Sequence, residues 1–340
     1  MITDKKELDT VSVVIPIYKE ENYIKTLVKS ILQQDYDKSK LEILFVDGNS
    51  PDKTLDILKE ELDGKELDYR ILNNPKKIPP VAVNIGIKEA KNDIIIRLDA
   101  HSEYPSNYIS KCVYYLNNID ADNVGCLVKT ESKTRIGKAI ANVVSSKFGV
   151  GNSKFRTNAE SGYVDTVPFG TFRKELFDKI GYFNEELPRS EDNEFNNRII
   201  KNDGKVYLFN DIQVIYHPRD NIIKLMKMGF ENGKWAIYTG YIIPGSMGLR
   251  HFIPMFFVLG LILGIIVILL NMKILTICFL TVLCLYLLLD LLFTIKNIIS
   301  DGIMQIACFI IYPLFHISYG IGSVFGIGKI IRKTARKNAV

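Results

Sequence analysis

The sequence predicts an α/β fold with a mostly parallel central sheet, followed by C-terminal transmembrane helices. In residues 1–250, short apolar runs alternate with amphipathic windows, as strands alternate with helices in such a sheet. From His251 onward the hydropathy rises abruptly and charged residues become scarce. Acidic and basic residues balance in the first 250 positions, so the whole formal charge of +5 belongs to the C-terminal part. A neutral N-terminal part lacks the basic footprint of a nucleic-acid-binding protein.

Four β-rich runs and three helical windows make up the N-terminal alternation. The predicted strands are Val11–Ile17, Glu42–Val46, Tyr69–Leu72 and Ile94–Leu98. The predicted helices between them are Glu21–Gln33, Lys53–Leu62 and Pro80–Lys91. Right-handed crossovers between such strands produce a parallel, doubly wound sheet. After about residue 120 the alternation loosens, and the pattern no longer predicts each element.

The C-terminal part begins with two long apolar runs. Phe252–Leu270 carries no charge and is long enough to cross the hydrocarbon core of a bilayer. Ile274–Ile295 follows after a short link and is interrupted by one charged residue, Asp290. A buried hairpin of a soluble protein is the alternative, but its helices would show a polar stripe, which these runs lack. The two runs are therefore predicted to form a transmembrane hairpin.

A third apolar segment, 303–328, contains Pro313, His316 and several glycines. If this segment also spans the membrane, the basic tail at 329–340 lies on the opposite side from the N-terminal part. The positive-inside rule places that tail in the cytosol instead. A re-entrant segment would reconcile the two, since broken helices are tolerated where protein covers them. The sequence leaves both alternatives open.

Chemically useful side chains follow three of the predicted strands. The first strand ends at Tyr18, the second at Asp47, and the fourth at Asp99 and His101. In a sheet of this type, ligands bind beyond the carboxyl ends of the strands. A tyrosine ring can stack on a base, and a carboxylate can accept a hydrogen bond from a base or a ribose hydroxyl. Asp99 and His101 offer an oxygen and a nitrogen to one divalent cation.

Each of these positions has a structural alternative. Asp47-Gly48 is also an ordinary turn, with Ser50 or Asp52 capping the next helix. An isolated Asp-x-His is a weak signal of a metal site. The joint position of these residues at the ends of successive strands favours a ligand-binding edge.

Two later segments add candidates. Glu191 and Asp192 open a predicted helix, where acidic residues are stabilised by the helix dipole. A carboxylate at that position can equally act as a general base toward a hydroxyl. Lys234 and Trp235, the only tryptophan, lie in an amphipathic window at 222–238. This window is typical of an interfacial helix with Trp and Lys at headgroup level, and it is also compatible with an active-site role.

In this order, the motifs resemble those of the inverting family 2 glycosyltransferases, and more narrowly the membrane-attached enzymes that make succinoglycan-type exopolysaccharides. The resemblance runs from about Val11 to Pro254. Five motifs in series carry it, with a sixth at suitable distance: Val-Ile-Pro-Ile-Tyr-Lys-Glu-Glu, Phe-Val-Asp-Gly-Asn-Ser-Pro-Asp-Lys-Thr, Asn-Ile-Gly-Ile-Lys-Glu-Ala, Arg-Leu-Asp-Ala-His, Glu-Glu-Leu-Pro-Arg-Ser-Glu-Asp and Glu-Asn-Gly-Lys-Trp. One such motif is a weak signal, whereas the series is a strong one.

The resemblance implies a glycosyltransferase-A fold that binds a nucleotide diphosphate sugar. It implies substrate contacts at Pro16, Tyr18, Glu20, Asp47, Asn84, Asp99, Lys234 and Trp235. Asp99 and His101 occupy the Asp-x-Asp position that holds Mn2+ or Mg2+ against the diphosphate. Asp192, with Glu191 beside it, takes the place of the base that deprotonates the acceptor hydroxyl.

The sequence departs from the family pattern in three motifs. His101 replaces the second Asp of the metal-binding triplet, which tilts the ligand set toward Mn2+ or leaves Asp99 as the one direct ligand. Gly48 stands where many members have a second Asp. Glu231 and Lys234 replace the Gln and Arg of the Gln-x-x-Arg-Trp motif, so Lys234 would meet phosphate as a point charge rather than through a bidentate fork.

These features predict a metal-dependent, inverting hexosyltransferase of the cell membrane whose catalytic domain faces the cytoplasm. It would move a sugar from a nucleotide diphosphate sugar to a polyprenyl-linked saccharide, in the synthesis of exopolysaccharide or another cell-surface glycan. Its predicted regions are a catalytic domain, an amphipathic interfacial segment, a transmembrane region and a basic tail, at 1–220, 221–250, 251–328 and 329–340. The alternatives are sugar transfer to a bare polyprenyl phosphate, and a non-catalytic, membrane-anchored protein that binds nucleotide sugars.

Overall fold

The computed structural model describes residues 9–218 and 220–337, so the polar N-terminus, residue 219 and the last three residues of the predicted basic tail lie outside it. The chain divides into two compact units. The first runs to Val128 and resumes from Asn158 to Tyr216, and the second holds Lys129–Thr157 and the chain from His217 onward. The predicted domain boundary at 220 is close to His217. Residues 129–157, which that prediction assigned to the N-terminal domain, group with the C-terminal helices.

Strands and short helices dominate the first unit, whereas the second is helical. The strands are β1 Val11–Ile17, β2 Leu41–Asp47, β3 Asp68–Asn73, β4 Ile94–Arg97, β5 Ser102–Glu103, β6 Asn123–Thr130, β7 Gly162–Tyr163, β8 Thr171–Arg173 and β9 Val206–Tyr216. The helices are α1 Ile24–Leu32, α2 Thr54–Leu62, α3 Pro79–Glu89, α4 Tyr108–Asn118, α5 Arg135–Ser145, α6 Lys147–Val150, α7 Glu175–Ile180, α8 Glu191–Lys201, α9 Ile222–Ile242, α10 Ile253–Leu269, α11 Lys273–Asp301 and α12 Cys308–Lys337.

The strands form one mixed sheet in the order β3-β2-β1-β4-β8-β6-β9-β5, with β7 paired to β9. β1 pairs in parallel with β2 and β4, and β2 pairs in parallel with β3. The pairs β4–β8, β6–β8, β5–β9 and β7–β9 are antiparallel. The predicted parallel sheet is therefore present in β1–β4, whose carboxyl ends share one edge. The antiparallel strands begin beyond residue 100.

A close approach fixes α3 on the sheet. A Cβ atom at Gly86 would lie 2.3 Å from a methyl carbon of Val14 in β1, so no larger residue fits without displacement. This contact brings α3, and with it Asn84, directly onto the central strand.

Three helices of the second unit are long and apolar enough to cross a membrane: Leu249–Leu269, Lys273–Asp301 and Ile303–Ala335. The two predicted membrane runs correspond to α10 and α11, in which 17% and 6% of the most apolar window is buried. The third differs, because half of its window is buried by protein. It is a continuous helix, α12, through Pro313 and past Gly328.

The partner of α12 is α9, and glycines set the distance between them. A Cβ at Gly233 would lie 1.9 Å from the carbonyl oxygen of Tyr319, and one at Gly322 would lie 1.9 Å from that of Phe230. A Cβ at Gly326 would likewise lie 2.6 Å from the carbonyl oxygen of Lys234. Small residues at four-residue spacing allow helix backbones to touch in this manner. The predicted interfacial window is thus a helix packed lengthwise on α12.

A second amphipathic helix of this unit, α5, was not predicted from the sequence. Its apolar face, with Ala139, Ile140 and Val143, packs into a cluster with Tyr312 and Phe315 of α12. This burial explains why residues 129–157 belong to the second unit.

Candidate active site

The turns after β1 and β2 form the first part of the site. Lys19 and Asn49 have left-handed backbones, with φ of 60° and 57°. Such residues are rare outside glycine and collect at functional sites. Gly48 packs against the side chain of Tyr18, and a Cβ there would lie 3.1 Å from the ring. The glycine that replaces the family's second Asp thus makes room for the ring.

Asp47 holds the second turn together. Its side chain is buried and accepts hydrogen bonds from the Ser50 hydroxyl, at 2.7 Å, and from the Ser50 amide, at 3.2 Å. Asp52 accepts from the Thr54 hydroxyl, which in turn accepts from the Glu20 amide at 2.8 Å. The structural alternative for Asp47-Gly48 therefore describes part of the geometry, and its ligand role stays a prediction.

An exposed aromatic ring marks this edge of the sheet. Tyr18 is 38% exposed, and the ammonium groups of Lys19 and Lys77 lie 5.3 and 5.7 Å from its ring centre. Pro16, two residues earlier in β1, pairs in register with Val46. An aromatic ring beside two ammonium groups is suited to a nucleotide, whose base can stack on the ring while its phosphates lie near the cations.

Glu20 links the ends of the first and fourth strands. Its Oε1 lies 3.4 Å from Nδ1 of His101. The His101 ring also meets Tyr216 edge-on, with ring centres 5.3 Å apart, and Tyr23 at 6.4 Å. The imidazole is therefore oriented by a carboxylate and two rings.

Arg97 contacts three of the predicted site carboxylates. This buried residue ends β4, and its guanidinium contacts Asp192, Glu191 at 3.0 Å and Asp99 at 3.5 Å. We call these four residues the Arg97 cluster. It brings Asp192 and Glu191, from the start of α8, to the same group as Asp99. The predicted convergence of the residue 99 and residue 192 carboxylates is observed, and their catalytic roles stay predictions.

The electrostatics of the cluster follow from burial. Loss of water raises the pKa of Asp192 to about 7; Arg97 opposes this shift, and the charges of Glu191 and Asp99 add to it. Burial alone would lower the pKa of Arg97, but the three carboxylates raise it above its ordinary value. Arg97 therefore stays charged, while Asp192 exchanges its proton near neutral pH.

Aromatic side chains pack between α8 and Arg97. Phe183 stacks on Phe195 of α8 with ring centres 4.3 Å apart, and the guanidinium of Arg97 lies 5.9 Å from the Phe183 ring. Ser190, the residue before α8, has a left-handed φ of 65°. The turn that delivers Glu191 and Asp192 is thus conformationally strained and fixed by the rings beneath it.

Asn84 lies in the core rather than at an open surface. Its side-chain NH2 donates to the Phe183 carbonyl at 2.9 Å, and its oxygen accepts from the Phe183 amide at 3.0 Å. The amide also reaches Glu185 at 3.2 Å. Asn84 therefore holds the segment before α8, and its predicted substrate contact stays a prediction.

The donor set suits a metal that protein and substrate hold jointly. Within 9–218 and 220–337, no three His, Cys, Asp or Glu side chains are grouped closely enough to hold a metal ion. Asp99 and His101 supply one carboxylate and one imidazole, and Mg2+ is commonly bound by one or two carboxylates with phosphate and water oxygens. Engagement of His101 Nδ1 by Glu20 is the arrangement that orients metal-binding histidines.

Lys234 and Trp235, both predicted to bind substrate, belong to the second unit. Glu231 accepts hydrogen bonds from the Lys234 ammonium and from the Trp235 ring N–H, each at 3.2 Å. The Glu-x-x-Lys-Trp side chains therefore hydrogen-bond to one another on α9.

Residues 12–181, half of the chain, match the profile of glycosyl transferase family 2. The chain belongs to this family. Its mixed sheet, parallel in β1–β4 and antiparallel beyond, is the glycosyltransferase-A fold that the motifs implied. Family 2 enzymes generally depend on a divalent metal.

Several known proteins are similar to this family 2 chain. The succinoglycan biosynthesis protein ExoA of Rhizobium meliloti is 28% identical over 75% of this chain and 77% of ExoA. A dolichyl N-acetyl-α-D-glucosaminyl phosphate 3-β-D-2,3-diacetamido-2,3-dideoxy-β-D-glucuronosyltransferase of Methanococcus voltae is 29% identical over 66% of this chain and 72% of its own length. A crystal structure of S. aureus TarS 1-349 in complex with UDP-GlcNAc has a TM-score of 0.49 at 17% identity and covers 72% of each chain.

Arg97 is the main residue without a role in the sequence interpretation. It stands in the Arg-Leu-Asp-Ala-His motif, yet its partners in α8 lie 94 and 95 residues away. A basic residue at the buried end of a β-strand was the available signal, because such a charge requires carboxylate partners.

Proposed function

We propose that this family 2 glycosyltransferase moves a sugar, with inversion at the anomeric carbon, from a nucleotide diphosphate sugar to a lipid-linked saccharide. The product would be an exopolysaccharide or another cell-surface glycan. The observation that carries the proposal is the Arg97 cluster, in which a donor-side carboxylate, Asp99, and the candidate base, Asp192, contact one guanidinium.

The similar proteins support the class of acceptor. ExoA is described as a succinoglycan biosynthesis protein, and the name of the Methanococcus voltae enzyme describes transfer to a sugar on dolichyl phosphate. The first description concerns the synthesis of a polysaccharide, and the second concerns a lipid-linked sugar acceptor.

The residues suggest the following division of labour. Tyr18, beside Gly48, and Asp47 would line the nucleoside, with the two neighbouring lysines near the phosphates. As the acceptor oxygen attacks the anomeric carbon, Asp192 takes the hydroxyl proton and the bond to the nucleoside diphosphate breaks. A single displacement inverts the anomeric carbon and needs no covalent enzyme intermediate. Glu191 and Arg97 keep the Asp192 carboxylate in place.

A divalent metal would complete the donor side. Bound Mn2+ or Mg2+ stabilises the negative charge that develops on the leaving diphosphate. Asp99 would supply the carboxylate ligand and His101 the imidazole, which Glu20 orients.

The membrane part has a role in the same scheme. The α10–α11 hairpin would anchor the enzyme in the cell membrane, with the first unit on the cytoplasmic side where nucleotide sugars are available. A lipid-linked acceptor would then remain in the membrane while its saccharide is extended.

The test uses the full chain in nanodiscs. Purified protein is incubated with UDP-, GDP- and dTDP-sugars, Mn2+ or Mg2+, and lipid-linked saccharides, and the product lipids are analysed by mass spectrometry and NMR. We expect one sugar added to the saccharide with an inverted anomeric centre. Transfer onto bare polyprenyl phosphate would favour the alternative acceptor, and donor binding without transfer would overturn the enzymatic proposal.

A further inference from the structure

A group of cationic and aromatic side chains lies where α9 meets α12. It consists of Lys234, Trp235 and Tyr238 of α9 with Lys329 and Lys333 of α12, and we call it the lysine–aromatic cluster. Lys329 Nζ lies 3.4 Å from the centre of the Trp235 ring and 4.2 Å from that of Tyr238. Lys333 Nζ donates to the Tyr238 hydroxyl at 2.9 Å and lies 5.3 Å from the ring. Lys234 Nζ is 5.9 Å from the Trp235 ring.

The cluster is a built arrangement rather than a chance meeting of long side chains. The close contact of Gly326 with the Lys234 backbone fixes the register of the two helices one turn before Lys329. Glu231 holds the Trp235 ring through its N–H at 3.2 Å and reaches the Lys234 ammonium at the same distance. Rings and ammonium groups are therefore presented from two helices whose spacing is set by glycine contacts.

The charge of the cluster matches a multiply charged anion. Two ammonium groups share the Tyr238 ring and two share the Trp235 ring, so neighbouring charges lie within about a Debye length, ~10 Å at 0.1 M salt. From Gly302 to its end the sequence has five Lys and Arg and no acidic residue. The Glu231 carboxylate pairs with Lys234 at 3.2 Å, and a lipid phosphate would add charge-assisted hydrogen bonds to the ammonium groups of Lys329 and Lys333.

The surroundings indicate that the anion belongs to a lipid. Phe325 and Ile331, on the same stretch of α12, are each 62% exposed, and Ile321 and Ile327 are exposed as well. A helix with exposed apolar side chains beside lysines and aromatic rings is typical of the membrane–water interface. Phosphate headgroups lie at this depth of a bilayer, whereas a soluble phosphate would not require the apolar surface.

We propose that the lysine–aromatic cluster binds the phosphate or diphosphate head group of a membrane lipid, and that in the reaction this lipid carries the acceptor saccharide. The second part rests on the proposed function, and the first does not. Lys329, Lys333 and Tyr238 thereby gain a role that the family motifs do not assign.

The binding test uses full-length protein in nanodiscs that contain labelled polyprenyl phosphate. The variant Lys329→Gln/Lys333→Gln is compared with Arg332→Gln, which removes one exposed cation from the same turn of α12. We expect the double variant to bind polyprenyl phosphate at least tenfold more weakly and the Arg332 control to stay within about twofold of wild type. Equal losses in both would mean general attraction of a basic tail, and unchanged binding in the double variant would overturn the proposal.

Two further arms separate the sources of phosphate and guard against misfolding. Nanodiscs with phosphatidylglycerol at the same mole fraction and soluble inorganic diphosphate should compete poorly with polyprenyl phosphate; effective competition by diphosphate would reassign the site to a soluble ligand. Lys333→Arg keeps the positive charge and should retain binding, whereas a loss equal to that of the double variant would indicate structural damage and contradict the electrostatic role.

Kinetics distinguish failure of this site from failure of the proposed function. In the double variant the KM for the lipid-linked acceptor should rise about tenfold with kcat little changed, because the variant leaves the Arg97 cluster intact. Transfer with an unchanged acceptor KM would remove the site and leave the function standing. Phosphate-dependent binding in a protein that transfers no sugar would keep the site and refute the function.

Discussion

The Arg97 cluster and the lysine–aromatic cluster handle charge in opposite ways. In the first, a guanidinium that is only 5% exposed is surrounded by three carboxylates of the same unit. In the second, ammonium groups rest on aromatic rings at the side of two packed helices. A buried charge must be neutralised by the protein itself, whereas a charge near solvent can be neutralised by a ligand. The first arrangement suits a fixed catalytic group, and the second suits recruitment of a charged partner.

The largest expected effect concerns the base itself. Asp192→Asn removes the proton acceptor while keeping the shape, so kcat should fall by about 10²–10⁴-fold with donor affinity preserved. Single-turnover transfer measured with saturating donor would report the change. Asp178→Asn, which removes an exposed carboxylate on α7, is the matched control and should leave kcat unchanged. Full activity in Asp192→Asn would exclude this residue from proton transfer.

The second prediction tests whether Arg97 neutralises the three carboxylates around it. Arg97→Gln leaves three carboxylates without their cation, which should lower the free energy of unfolding by about 3–5 kcal/mol. Arg97→Lys keeps the positive charge but loses the bidentate geometry of the guanidinium. It should therefore lower the free energy of unfolding by less than Arg97→Gln does, and it should still reduce kcat. Thermal denaturation and transfer kinetics would check both variants. The control is Arg173→Gln, because Arg173 is the exposed last residue of β8 and its side chain donates to Asn117 of α4. If Arg97→Gln were as stable as wild type, the cluster would not depend on its guanidinium.

The pH dependence should separate the two clusters further. Asp192 accepts a proton only when ionised, and its pKa is raised to about 7, so kcat should fall as the pH drops below about 7 and level off above it. The protonated group contributes stability that is present below pH 3.8 and is lost as the pH rises through about 7. Lys329→Gln/Lys333→Gln should show the same acidic limb. If the acidic limb of the kcat profile shifted in this double variant, the titrating group would belong to the lysine–aromatic cluster and not to Asp192.

The smallest effect concerns the helix spacing under the lysine–aromatic cluster. Gly326→Ala places a methyl group 2.6 Å from the Lys234 carbonyl and should cost about 1–3 kcal/mol of stability, with weaker lipid binding. Gly328→Ala is the matched control, because its added methyl meets nothing within 4 Å. Melting temperatures of the two variants in nanodiscs would differ only if the close helix contact is real.

The periodicity of apolar residues predicted the elements that are encoded in a continuous stretch of sequence. β1–β4, the helices between them and the apolar hairpin are each encoded in a continuous stretch, and they appear close to their predicted limits. The edge that holds Tyr18, Asp47 and Asp99 followed because the carboxyl ends of parallel strands share one side of a sheet.

Features that depend on distant pairings were beyond the sequence. The antiparallel strands and the association of α5 with α12 arise from contacts between segments far apart in the chain. Arg97 meets carboxylates from α8, nearly 100 residues later. Asn84 illustrates the same limit, because its motif suggested a ligand contact, which stays a prediction, whereas the bonds of its amide to the Phe183 backbone, 99 residues later, could not be read from the motif.

The lengthwise contact between α9 and α12 bears on membrane topology. Gly229 faces Ser318 and Tyr241 bonds to Thr334, so the two helices run side by side in the same direction over most of their length. If α12 crossed the bilayer, Glu231 and Lys234 of α9 would be drawn into hydrocarbon, at a cost of several kcal/mol. We therefore expect α12 to lie along the membrane surface, so that the hairpin supplies two crossings and residue 337 stays on the side of the membrane from which the hairpin begins. Maleimide labelling of a cysteine introduced at Lys337 should succeed only from the face that also labels the first unit.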